Sequence, residues 1–293
     1  MSCSKHRHLA GSAIFLGLLL TAGPNSLNAQ QIGLQDLHIE FTNALGMKFI
    51  LIEPGSMIVG RYEIECPDPP DDRDVPSRAR WTAADLERCE KLAGRDSRPG
   101  FMVTLKQPYY IGKFPVTQGE WKQVMVQNPS FFQGDKVEGD ADRHPVDSVS
   151  WEDARAFVEE LNALDTTAVY RLPTEFEWEY AARAGADQVL SWAETRRHAW
   201  IADIDNGSTH PVGQKKPNAW GLYDTIGNVW EWVGDYYNEK IYPDPVPPDT
   251  GEVRVLRGGG FLADVANATY FTHAGGPGNG YDVGFRIVRE IKP

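Results

Sequence analysis

The sequence predicts an α+β domain with low regular secondary structure and long loops, and three observations carry that expectation. Three Ser/Thr-x-x-Asp/Glu signatures mark helix starts, five short apolar runs bounded by Gly, Pro or polar residues read as strands, and two long stretches follow neither period. Connections that long usually need an ion, a disulfide or a functional reason.

The helix starts are Thr117 to Glu120, Ser150 to Asp153 and Thr174 to Glu177. In each, the hydroxyl can accept from the backbone N–H three residues on while the carboxylate reaches back, which satisfies donors that a helix start leaves orphaned. After Ser150, the positions Trp151, Ala154, Phe157, Val158 and Leu161 recur at helical spacing, so this helix lays one face on a core. After Thr174 the bulky positions are Phe176, Trp178, Tyr180 and Ala181, and Gly185 supplies a stop. Thr82 to Asp85 repeats the signature between Cys66 and Cys89.

The strand candidates are Lys48 to Ile52, Phe101 to Leu105, Tyr109 to Ile111, Val253 to Leu256 and Gly284 to Arg289. The stretches from Leu190 to Ala219 and from Tyr236 to Asp249 read as irregular, and a functional site is expected on such loops.

At the N-terminus, Lys5 and Arg7 precede an apolar run from Leu9 to Ala22 and a small-residue exit at Leu27-Asn28-Ala29. That is the pattern of a secretory signal peptide over residues 1–29, with a retained anchor as the alternative. No other segment approaches roughly 18 uninterrupted apolar residues, so the mature chain is expected not to span a membrane and to be periplasmic or secreted. Residues 30–41 then lead into one domain over 42–290, with an insertion at 61–100. Loss of Lys5 and Arg7 takes the formal charge from -12 to -14, a surface that repels phosphate backbones, so nucleic acid is not expected as a partner. Cys3 leaves with the leader. Cys66 and Cys89, 23 residues apart, are expected to pair as a disulfide that closes the insertion. Two structural thiols or a redox pair are the alternatives, and the spacing gives no C-x-x-C support to the latter. Closing that loop would stabilise the fold by about 3 kcal/mol.

Four segments occur in a fixed order: Tyr109-Tyr-Ile-Gly-Lys-Phe-Pro-Val-Thr117; His144-Pro-Val-Asp-Ser-Val-Ser-Trp-Glu-Asp-Ala154; Arg171-Leu-Pro-Thr-Glu-Phe-Glu-Trp-Glu-Tyr-Ala-Ala-Arg-Ala-Gly185; and Gly221-Leu-Tyr-Asp-Thr-Ile-Gly-Asn-Val-Trp-Glu-Trp232. With Arg254-Val-Leu-Arg-Gly-Gly259 and Gly284-Phe-Arg286, the chain resembles the formylglycine-generating enzyme, or sulfatase-modifying factor, family over about residues 42 to 290. The resemblance implies a C-type-lectin-related fold and calcium for rigidity. In the true enzymes it implies oxidation of a substrate cysteine to formylglycine with oxygen and copper.

Those enzymes carry two cysteines shortly after the element that reads here Gly258-Gly259-Gly260-Phe261, and an ungapped count puts Ala263 and Ala268 at those positions. Copper(I) wants thiolate ligands, so copper and formylglycine generation are not expected. By resemblance, calcium falls to Asn228, to Val229 through its carbonyl, and to Glu231, a set of oxygens that suits a hard cation. The alternative is that Asn228 ends a turn and Glu231 is hydrogen-bonded between buried tryptophans. A second family calcium site falls at Trp200-Ile201, where only Asp203, Asp205 and Asn206 nearby offer oxygens. Catalytic candidates are His273, Tyr270, Asp264 and Asp282, set against the plainer reading of a histidine in a surface groove. One histidine is too few for a metal unless His144, His198 or His210 folds beside it. Arg257 and Arg286 are expected to be structural, pairing with carboxylates under the groove.

Three kinds of function remain in view. One is a periplasmic binding or regulatory module, as among relatives that tune a secretion kinase, with an exported peptide or protein as ligand. Another is a cysteine-independent oxidoreductase or maturation factor acting on an exported peptide, as in pyoverdine maturation. The third is a lectin-like scaffold that displays a ligand-binding loop surface. Family membership alone does not choose among them.

Overall fold

The computed structural model describes residues 39–59, 87, 91, 100–186, 190–202, 207–238, 246–263, 273–276 and 278–291. The leader, Thr82 to Asp85, Cys66, Cys89, Asp203, Asp205, Asn206, Asp264, Ala268 and Tyr270 lie outside the described residues. In chain order the strands are β1 Glu40–Thr42, β2 Lys48–Ile52, β3 Gly55–Val59, β4 Phe101–Leu105, β5 Tyr109–Gly112, β6 Tyr170–Arg171, β7 Trp230–Tyr236, β8 Arg254–Arg257, β9 His273–Gly276, β10 Val283–Phe285 and β11 Val288–Glu290. The α-helices are α1 Gln118–Val124, α2 Trp151–Leu164, α3 Glu175–Arg183 and α4 Trp192–His198. Among the described residues no helix is long and apolar enough to cross a membrane.

The three capping boxes close as the sequence predicts: Thr117, Ser150 and Thr174 each accept from the N–H three residues on, and Glu120, Asp153 and Glu177 bond back. Helix α2 buries Ala154, Phe157, Val158 and Leu161, the face its spacing marks. Helix α3 differs. Phe176 and Tyr180 are only half-buried, while Glu175, Glu179 and Arg183 join Trp178 inside. It ends one residue before the expected glycine, at Ala184 in the left-handed region (φ 49°), followed by Gly185 at φ 82°.

An antiparallel sheet of order β1-β2-β5-β11-β6 divides the core. Alternation along β2 sends Phe49 to one face, where it joins Phe157, Leu161, Trp121 and Trp232, and Ile50 and Ile52 to the other, with Tyr109, Ile111 and Ala181. Helix α2 therefore covers one face and α3 the other. A second sheet runs β10-β7-β8-β9, and along β7 the same period turns Trp232 toward the α2 side and Val233 toward Trp178 of α3.

Two sequence expectations are corrected. Gly284 to Arg289 is two strands, because β10 pairs in parallel with β7 while β11 pairs with β5 and β6 of the other sheet. Arg286 lies at the changeover. The stretch from Leu190 to Ala219 contains α4, whose Ser191 hydroxyl accepts from Glu194 N–H, the same start signal as the other helices. Strands β1, β3, β6, β7 and β9 were outside the sequence expectation; β3 and β6 pair with segments about 50 and 120 residues away, while β1 is a three-residue strand that pairs with the adjacent β2.

Gly227 tests how tightly the loops meet. It sits at φ 76°, and a Cβ there would lie 2.1 Å from the Trp200 carbonyl oxygen. Gly227→Ala is expected to destabilise the fold by at least about 2 kcal/mol in urea unfolding, since strain and clash act together.

Candidate functional site

Beneath the loop face lie buried charges. The Arg286 guanidinium donates Nε–H to Glu231 Oε2 at 2.5 Å and Nη2–H to Glu231 Oε1 at 2.6 Å. Its remaining donors reach the carbonyls of Gly112 and Tyr223. Trp178 Nε1–H adds a third bond to Glu231 at 2.6 Å. Alongside, Arg257 donates to Glu179 at 2.6 Å and to Glu175 at 3.1 Å, and Arg183 bonds Ile58 O and Ala186 O. Burial pushes the Glu179 carboxyl above its usual range, against the pull of Arg257 and Arg183. Arg257 and Arg286 thus pair with carboxylates, as their sequence setting implied.

Above them, Asn228 ties three loops together. In the left-handed region at φ 63°, its amide accepts from His210 N–H and donates to His210 O, both at 3.1 Å. Its own N–H donates to Trp200 O, and its carbonyl accepts from Phe261 N–H. This arrangement does not fit the expected calcium set. Asn228 faces the His210 main chain, and both oxygens of Glu231 carry Arg286 and Trp178, so a divalent ion there would sit against a guanidinium. The reading of Glu231 as a hydrogen-bonded carboxylate between tryptophans is the one the geometry supports.

Asp224, which sequence reasoning passed over, is buried beside this cluster. Its carboxylate accepts from Gly213 N–H at 2.8 Å, and burial raises it to about 6 despite that bond and the nearby Arg286. His144 is buried with its ring nitrogens on Thr209 and the Glu138 carbonyl, and burial lowers its pKa. Of the histidines, His144 and His210 lie near enough for the charge of one to lower the pKa of the other. His198 sits on α4 near Glu194, and His210 stacks on Trp200.

The Gly258–Phe261 element turns sharply, with Gly258 at φ 91° and Gly259 at φ 78°. Phe261 and Ala263 are buried, and Ala263 is held by bonds to Gly260 and from Ala202. Of the four catalytic candidates, Asp282 lies against this turn: a Cβ on Gly260 would fall 2.6 Å from its Oδ2. Burial raises the Asp282 carboxyl. His273 stands on β9 in register with Arg257.

Next to the turn opens a cleft of about 630 Å³ whose walls include Ser130, Phe131, Lys136, Ser148, Gly280 and Tyr281. Phe131 stacks on Tyr281 with centroids 4.4 Å apart, and Phe132 packs edge-on between Phe131 and Phe261. Asp147 sets the wall: its carboxylate accepts from Phe131 N–H, Phe132 N–H and the Ser148 hydroxyl. Sequence reasoning missed these residues, because the two walls are about 150 positions apart in the chain.

Residues 40–291 match the sulfatase-modifying factor enzyme 1-like domain family. The chain belongs to that family. It is 38% identical over 173 residues to a formylglycine-generating enzyme of Streptomyces coelicolor, an alignment covering 50% of this chain and 53% of the relative. It is 33% identical over 243 residues to the chaperone protein LppX of Paenibacillus barcinonensis, covering 64% and 82%. The chain spans about half the length of the formylglycine-generating enzymes it matches. In shape it is similar to Treponema denticola variable protein 1 (TM-score 0.67, 25% identity, 85% of this chain and 98% of that one). The PvdO structure from Pseudomonas aeruginosa shares the fold (TM-score 0.65, 23% identity, 87% and 98%). Within this family fold, the buried Arg286–Glu231 pair and the Asn228 tie form the support under the loop face.

Two measurements probe that support. Glu231→Gln leaves Arg286 buried without its counter-charge and is expected to cost about 3–5 kcal/mol in urea unfolding. The exposed Lys113–Glu40 pair, removed by Glu40→Gln, should cost less than about 1 kcal/mol. For Asp224 the sign follows from proton counting. Between its ordinary 3.8 and about 6, the folded chain keeps a proton that the unfolded chain has lost, so this group's contribution falls as pH rises through that window and is level above it. Asp224→Asn should remove that decline, so its stability relative to the parent should rise from pH ~4 to ~6.

Proposed function

We propose that this chain is an exported, periplasmic or secreted binding or regulatory member of the family that does not generate formylglycine. One observation carries the reading: the cysteines are Cys3, Cys66 and Cys89, and none follows the Gly258–Phe261 turn. A methyl group at Ala263, held in the buried turn, supplies neither a copper(I) ligand nor a thiolate that could engage a substrate cysteine. Among the described residues the open cleft beside it is walled by aromatic, hydroxyl and amide groups and the Lys136 ammonium, which suits holding a ligand. The 33% identical relative carries the name of a chaperone, a role exercised by binding. The pattern of the leader supports export, and a Cys66–Cys89 disulfide belongs to the same reading.

The second reading, a cysteine-independent oxidoreductase or maturation factor for an exported peptide, draws on Asp282. A carboxylate with a raised pKa against the Gly260 turn is suited to proton transfer.

The test is chemical. Purified protein supplied with copper, oxygen and a cysteine-containing sulfatase peptide is expected to give no aldehyde by mass spectrometry. Aldehyde formation would overturn the proposal, because it would show that the reaction proceeds without thiols after the turn.

A further inference from the structure

We propose that the cleft between the 129–136 loop and the 279–281 loop binds a carboxylate-bearing peptide segment, with Lys136 receiving the carboxylate and Tyr281 the neighbouring apolar side chain. This rests on the binding reading above and names the ligand class for it.

The charge pattern carries the choice. The chain has a formal net charge of -12, yet among the described residues the one charged group lining this cleft is Lys136, and no carboxylate lines it. The Lys136 ammonium lies 3.5 Å from the centroid of Phe131 and forms no ion pair with any described residue. Asp147, the nearby buried carboxylate, is spent on Phe131 N–H, Phe132 N–H and the Ser148 hydroxyl. A cation resting on a ring face keeps its outward hydrogen-bond donors, so an anion can be added without breaking the cation–π contact.

The apolar half of the ligand is set by the column of rings. Lys136 and Tyr281 cannot share a face of Phe131 at 3.5 and 4.4 Å, so the order is Lys136, Phe131, Tyr281, and the outer face of Tyr281 ends the column. Tyr281 is 55% exposed and Phe131 38%, large apolar surface left open beside a cation. An aromatic or prolyl side chain would extend the stack, and a carboxylate on the side chain of a neighbouring residue has the length to pass the ring edges and reach the ammonium.

The wall is also prepared in advance. Ser148 is a non-glycine residue at φ 60°, held there while its hydroxyl donates to Asp147. Asp147 fixes both the Phe131 backbone and Ser148, so the platform is ordered before ligand arrives, which lowers the entropic cost of binding.

The experiment uses the purified mature chain and three N-acetylated tetrapeptides titrated by two-dimensional NMR. One ends in phenylalanyl-glutamate amide, one in phenylalanine with a free carboxylate, and one in neutral phenylalanyl-glutamine amide. The phenylalanyl-glutamate peptide is expected to bind about two- to fivefold more tightly than the neutral one, the scale of a partly exposed ion pair. The side-chain carboxylate is expected to be the tighter of the two, because a terminal phenylalanine holds its carboxylate beside its own ring and Lys136 lies on the far side of Phe131. Lys136→Met should erase that preference, and Tyr281→Ala should weaken all three peptides. Because Lys136 is exposed, an unchanged melting curve would show that Lys136→Met remains folded. Equal binding of the neutral peptide, or a preference surviving Lys136→Met, would overturn the proposal. The aldehyde assay stays independent: no aldehyde together with no carboxylate preference removes this inference alone, whereas aldehyde removes the binding reading itself.

Discussion

Arg286 is the residue on which the two sheets depend. It stands where the chain leaves β10, paired with β7, and enters β11, paired with β5, and its guanidinium is buried between them. One side chain bonds Glu231 of the second sheet, the Gly112 carbonyl at the end of β5 in the first, and the Tyr223 carbonyl of the loop between. A buried ion pair of this kind is not a large net source of stability, because desolvation offsets much of its Coulombic gain. Its effect is directional. Every alternative packing that separates Arg286 from Glu231 leaves a charge in the core, so the relative placement of the sheets is narrowly specified.

The same logic extends outward. Trp178 brings α3 to Glu231, and Glu175 and Glu179 of α3 hold Arg257 at the end of β8. From that end the chain passes directly into the Gly258–Phe261 turn, which Asn228 fixes from the other side through Phe261 N–H. The loop face is therefore rigid at its base although few regular elements reach it. A chain with short strands and long connections can place side chains reliably only if polar side chains replace the missing ladders, and Asn228, Asp147 and Asp224 each bond main-chain N–H groups of a loop.

Above that base the Gly258–Phe261 turn ends at the buried Ala263 methyl, while among the described residues the neighbouring cleft presents rings, hydroxyls, amides and one lysine. A scaffold held by interior charges tolerates change in such a surface, since loop-face residues contribute little to the core beneath them.

Much of this was determined by the sequence alone. The capping boxes fixed three helix starts, because the signal is local and each needs only four residues; the spacing after Ser150 fixed the buried face of α2; and the ordered segments from Tyr109 to Arg286 identified the family. The absence of cysteine after Cys89 likewise needs no coordinates. What only the tertiary structure decided involves groups distant in sequence. Arg286 meets Glu231 across 55 positions, and Phe131 meets Tyr281 across a longer span still. Glu231 could be read from its neighbours as a calcium ligand or as a hydrogen-bonded carboxylate, and the guanidinium that meets both its oxygens comes from another strand, which the local sequence does not show. The division at Arg286 of an apparently continuous strand has the same origin: strand propensity is read along the chain, but which sheet a strand joins is set by partners the local sequence does not contain.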